Sequence, residues 1–130
     1  MDFAAALYTF LTSHTGIAAL VGDKVYPIRA PDSPTLPLLV FREMYTDHLH
    51  ELQADNALIV PSYEIEAHAE SHVAARALMR TVEAALKNYT GAMTTCQVQA
   101  VLMSGGAEDY EPEGGYFWRS KEFQFYVTEA

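Results

Sequence analysis

Four of the six prolines in this chain of 130 residues, Pro27, Pro31, Pro34 and Pro37, are packed between positions 27 and 37. Each ring fixes φ near about −65° and removes a backbone donor, which bars the passage from a helix interior and from the centre of a sheet. The residue before each proline is pushed toward extended backbone as well. Residues 24–28 therefore read as a short edge strand running into an ordered loop. Residues 38–45, apolar apart from Arg42 and Glu43, read as the strand that follows. Any sheet this chain builds must accommodate a stiff loop at that edge.

Periodicity supplies the other elements. Phe3, Ala6, Leu7, Phe10 and Leu11 recur at helical spacing behind Asp2, a good N-cap, and Gly16 reads as the stop. Ser71 opens a second helix over residues 71–89, with Val73, Ala77, Leu78, Val82, Ala85, Leu86 and Tyr89 as one stripe and Arg76, Arg80, Glu83 and Lys87 off it. At about nineteen residues it spans about 28 Å, enough to cross a small sheet. Tyr63, Ile65 and Ala67 alternate with Glu64, Glu66 and His68, which suits an antiparallel neighbour for residues 38–45. Cys96, Val98, Ala100 and Leu102 alternate in the same way, as do Phe123, Phe125 and Val127, giving two closing strands. The expected fold is α+β: a mostly antiparallel or mixed sheet, one long helix across a face and a short N-terminal helix, in a single domain over residues 1–130.

Composition narrows the classes of function. Half the residues are hydrophobic, so the chain folds despite a formal net charge of −9. Seventeen carboxylates against eight Lys and Arg repel phosphate, and no basic run tracks a nucleic-acid backbone. The one cysteine, Cys96, has no partner for an internal disulfide and sits in an apolar alternation, as a small buried hydrophobe would. No stretch is apolar enough to span a bilayer, and the N-terminus does not read as a signal peptide, so folding in a cytoplasm is expected.

Few residues carry chemistry. His48 and His50, flanked by Asp47 and Glu51, are the best metal candidates, yet in extended backbone the imidazoles point to one side and the carboxylates to the other. A solvated contact loop over residues 46–56, longer than a tight hairpin needs, is the plainer account. His68 and His72 straddle a strand-to-helix break and read as a strand-surface and a first-turn histidine. Ser71 beside His72 lacks a nucleophile-elbow pattern and reads as a cap. Residues 104–115 hold Gly105, Gly106, Gly114 and Gly115 around Glu108, Asp109, Glu111 and Glu113, which reads as a flexible acidic loop and not as a phosphate cradle. Tyr116, Phe117 and Trp118 in succession point to both faces of a strand, so either another chain or a second core layer covers some of them.

Behind the helix of residues 3–11, Val25-Tyr26-Pro27, Pro37-Leu38-Leu39-Val40, the helix centred on Ala77-Leu78 and the strand Glu122-Phe123-Gln124-Phe125-Tyr126-Val127 follow in an order that resembles the tail-completion, or tail-terminator, proteins of long-tailed bacteriophages. The resemblance implies a virion protein and not an enzyme, with no cofactor, assembled in the bacterial host cytoplasm. It implies a ring, a hexamer, that caps the finished tail tube and joins it to the head. Its partners would be further copies of itself, the major tail-tube protein and the head connector or head-closure protein, with DNA passing unbound and no membrane. On that reading Asp47, His48, His50, Glu51, Tyr116 and Trp118 make contacts between chains, and Glu108, Asp109, Glu111 and Glu113 line the channel or stay mobile until a partner docks. A head-closure or neck protein is the nearest alternative, and a small metal-dependent hydrolase using His48 and His50 is the alternative from another class.

Overall fold

Alternating side chains write most of the sheet, and helical stripes cover one side of it. The computed structural model describes residues 2–49 and 58–129. In chain order the elements are α1 (Phe3–Ser13), α2 (Thr15–Val21), β1 (Val25–Pro27), β2 (Leu38–Leu49), β3 (Leu58–Ala69), α3 (His72–Leu86), β4 (Gly91–Met93), β5 (Cys96–Ser104), β6 (Glu108–Glu111) and β7 (Tyr116–Glu129). The sheet order is β1-β2-β3-β7-β5-β4, with β6 also on β7. β1 runs parallel to β2 and every other pair is antiparallel, so the fold is α+β with a mixed sheet. The proline-dense passage behaves as its chemistry demands: a three-residue edge strand, then a loop.

β7 organises the sheet. β3 lies along one flank, while β5 and then β6 share the other, Cys96–Ser104 against the far half of β7 and Glu108–Glu111 against Tyr116 to Arg119. The link read as a flexible acidic loop therefore contains a strand. Between β5 and β6 the backbone stays close: Glu122 N donates to Gly105 O at 3.1 Å and Ser120 N to Ala107 O at 2.7 Å, while Ser120 Oγ accepts from Ala107 N at 3.0 Å. A Cβ on Gly106 would overlap the Ser120 carbonyl, so this position needs glycine for the approach of two backbones.

One face of the sheet packs under all three helices. Leu39, Phe41, Tyr63, Ile65, Ala67, Phe123, Phe125 and Val127 meet Phe3, Leu7 and Leu11 of α1, Ile17 and Val21 of α2, and Leu78, Met79, Val82 and Leu86 of α3 in one core. Asp2 caps α1 as expected, accepting from Ala5 N at 3.1 Å. Gly16 is not the stop. His14 ends α1 and its Nδ1 accepts from Ile17 N at 3.3 Å, restarting the chain as α2 with a bend of 78°. Among the described residues no single helix is long and apolar enough to cross a membrane.

α3 is shorter than its stripe implied. Ser71 caps it through Ala74 N at 3.1 Å, and its 15 residues span about 22 Å. Asn88 has φ 58, and beyond it Tyr89 has left the helix, donating from its hydroxyl to Ala92 O at 2.6 Å with its ring 5.0 Å from Phe10. The buried face is Ala75, Leu78, Met79, Val82 and Leu86, whereas Val73 is 72% exposed and Ala77 is exposed. Cys96 is buried as expected, and burial pushes its thiol above the ordinary range.

Candidate assembly surfaces

The two groups of predicted contact residues stand at opposite ends of the sheet. β2 and β3 continue well past the expected strand ends, so Thr46, Asp47 and His48 lie on β2 and not in a loop, with Asp47 opposite Val60 and His48 opposite Ile59. The carboxylate of Asp47 is exposed. His50 and Glu51 lie outside the described residues, as does most of the expected contact loop. Trp118 pairs with His68, eight residues along β3 from Val60, a separation of about 26 Å at about 3.3 Å per residue.

At that second end the chain satisfies part of its own aromatic surplus. Tyr116 stacks on His68 with ring centroids 4.3 Å apart, and Phe117 meets Tyr110 at 4.8 Å. Tyr116, Phe117 and Trp118 are each half-buried. His68 is not a surface histidine: it is 4% exposed, because Tyr116 lies against it and the proline-dense loop, Arg29 to Pro34, walls a cavity of about 330 Å³ that it shares with Val40 and Glu66. His68 Nε2 donates to Glu66 Oε1 at 2.9 Å.

That bond gives the site a pH dependence. The hydrogen bond from His68, partly opposed by burial and aided by the charges of His68 and Arg42, holds the Glu66 carboxyl below the ordinary carboxylate range. A carboxyl with a depressed folded pKa contributes stability above its unfolded pKa, and that contribution is lost as pH falls through the folded value. Wild type is therefore expected to lose denaturant resistance on acidification below about pH 4, and Glu66→Gln to lose less over the same window. Urea midpoints measured in pH steps decide it, and parallel curves for the two proteins would remove Glu66 from the account.

The acidic residues divide by role. Glu108 stands on β6 facing α3, and its Oε2 accepts from His72 Nε2 at 2.8 Å, with Arg76 and Arg119 each 3.9 Å away. Its charge is answered inside the chain. Asp109, Glu111 and Glu113 form no ion pair among the described residues; Asp109 Oδ1 accepts from Tyr110 N within β6, and Glu111 Oε1 accepts from Glu113 N at the turn that follows.

A cluster of cations emerges only in three dimensions. Arg76 and Arg80, one turn apart on α3, converge with Arg119 and Lys121, two residues apart on β7, around a cleft of about 170 Å³ also lined by Met79 and Glu83. Each spacing was visible in the sequence. Their meeting depends on α3 packing over β7, which no local pattern states.

Among the described residues no group of three or more His, Cys, Asp and Glu side chains is placed to hold a metal ion. A model of the family described as Tail completion protein gp17 matches residues 5–128. The chain belongs to that family. Tail completion proteins of this family are structural, not enzymatic, and this chain is one of them. Comparison with curated proteins found no match. Among solved structures, a chain from one described as "Virion of native gene transfer agent (GTA) particle" is similar over 97% of this chain and 93% of its own, with a TM-score of 0.70 and 20% identity. At that identity the likeness is one of fold. It covers the same elements from α1 to β7 that the tail completion family model spans.

Proposed function

We propose that this tail completion protein acts as one domain that closes into a ring, a hexamer, caps the finished tail tube and offers its other end to the head connector or head-closure protein. The observation that carries the reading is the family match over residues 5–128. The placement of the two contact groups about 26 Å apart along β3 supports it, because a ring seated between tube and head needs two separate axial surfaces. Asp47, His48, His50 and Glu51 serve one surface, and Tyr116 and Trp118 the other. Asp109, Glu111 and Glu113, with no cation to answer them among the described residues, face the channel, where like charge keeps passing DNA from being gripped.

The test adds purified protein to tail tubes and reads assembly by light scattering and negative-stain microscopy. Closed rings on one tube end are the expected result; a chain that stays monomeric and leaves tube ends bare would sink the reading. The double change His48→Ala and His50→Ala is expected to shift subunit stability by no more than about 0.5 kcal/mol while leaving tails unjoined to heads. If that variant unfolds the subunit yet particles carrying it assemble, these histidines have been given the wrong role.

A further inference from the structure

Half of the Lys and Arg residues of an acidic chain line one cleft, and they do so on the helix side of the sheet. Arg76 and Arg119 share Glu108 at 3.9 Å, but Arg80 and Lys121 have no ion pair among the described residues. The cleft, about 170 Å³, is smaller than the roughly 300–1,000 Å³ of small-molecule sites and has room for side-chain heads. Glu83 at its wall and the net charge of −9 disfavour a phosphate backbone.

The opposite face of the sheet carries the complement. Glu64 on β3 and Glu122 on β7 are direct cross-strand neighbours, and Glu66 is the next residue on that face, each alternating with core residues that point to the helices. Like charges directly opposite destabilise a sheet, so this pair is a cost to the isolated subunit. Arg42 answers Glu64, with its Nε at 3.0 Å and Nη2 at 2.9 Å, and Glu122 has no ion pair among the described residues. We infer that the Arg76, Arg80, Arg119 and Lys121 cleft of one subunit receives the Glu64 and Glu122 face of a second copy of this chain. The inference rests on the ring reading and names the contact that closes it. Because the two patches lie on opposite faces, the contact is head-to-tail, the kind that repeats from subunit to subunit and makes a ring when the rotation between subunits closes. A two-fold contact through either face alone would set like charge against like.

Two charge-reversed proteins test this: Arg80→Glu with Lys121→Glu, and Glu64→Lys with Glu122→Lys. Each alone is expected to reduce the assembled fraction on tail tubes by about tenfold or more, since every contact then places like charges together. An equimolar mixture is expected to restore rings, because acidic clefts then meet basic faces and the untouched patches still match. Thermal melting verifies folding, and the milder Arg80→Gln with Lys121→Gln protein stands in for a reversal that fails to fold, with a smaller loss expected in the same direction. Folded reversals that assemble like wild type, or a mixture that fails to restore rings, overturn the cleft contact while leaving the ring reading intact. Wild-type protein that forms no ring on tubes overturns the ring reading and this contact with it.

Discussion

Phe125→Ala is expected to lower the unfolding free energy by about 3 to 5 kcal/mol, a large share of the stability of a small domain. Phe125 is fully buried at the centre of a ring cluster, with Phe3 at 4.7 Å, Tyr63 at 6.3 Å and Phe123 at 6.4 Å between centroids. Phe3 is the first residue of α1, so this cluster fastens the N-terminal helix to the two central strands. Tyr63 belongs to it despite its hydroxyl: burial, and then the carboxylates of Glu43 and Asp2, push its phenol up to about 12, so it remains neutral. Truncation removes the transfer energy of the ring and leaves a cavity that β-strands on either side cannot easily close. Guanidinium denaturation measures the loss, and Phe125→Leu should retain more of the stability than Phe125→Ala because it leaves the smaller void. A loss below about 1 kcal/mol for the alanine variant would show that the cluster relaxes around the gap.

Leu78→Ala is expected to cost about 2 to 5 kcal/mol, against no more than about 0.5 kcal/mol for Val73→Ala on the same helix. Leu78 is 2% exposed between α3 and the sheet, whereas Val73 is 72% exposed in the first turn. The comparison holds helix, residue class and substitution nearly constant, so burial is the variable under test. Equal losses at the two sites would mean that α3 sits on the sheet in another rotation.

That rotation is where sequence reasoning about α3 reached its limit. Val and Ala recur on both sides of the stripe, and a period alone does not choose between Val73 with Ala77 and Ala75 with Met79; the sheet chooses. The strands were more legible. Alternation in residues 63–67, 96–98 and 123–127 marked β3, β5 and β7 because alternate residues there are buried against the helices. Beyond Val98 a register shift against β7 swaps the faces of β5, so Val101 is buried and Leu102, expected to face inward, is 52% exposed. β6 escaped because Glu108, Asp109 and Glu111 are poor strand formers, and they are extended only because the first half of β7 offers them hydrogen-bonding partners. α2 escaped because a glycine near the end of a periodic run looks like a stop, while the histidine before it broke one helix and capped the next. Of the assembly surfaces, the aromatic run and its need for cover were visible and what covers it was not, since His68 and the proline-dense loop reach it from distant parts of the chain.

Cys96 turns the protein into its own reporter. It is the only thiol in the chain, it is wholly buried beside β7, and the burial that raises its pKa also suppresses the reactive thiolate. An alkylating reagent can therefore modify the chain only when the sheet opens around β5, and the rate of modification counts those openings. Because no other cysteine of this chain competes, alkylation of the peptide that carries Cys96 can be followed in a free subunit and in a subunit locked in a particle, with no label attached. The ratio of the two rates gives, in free energy, how strongly the assembled neighbours hold this sheet closed.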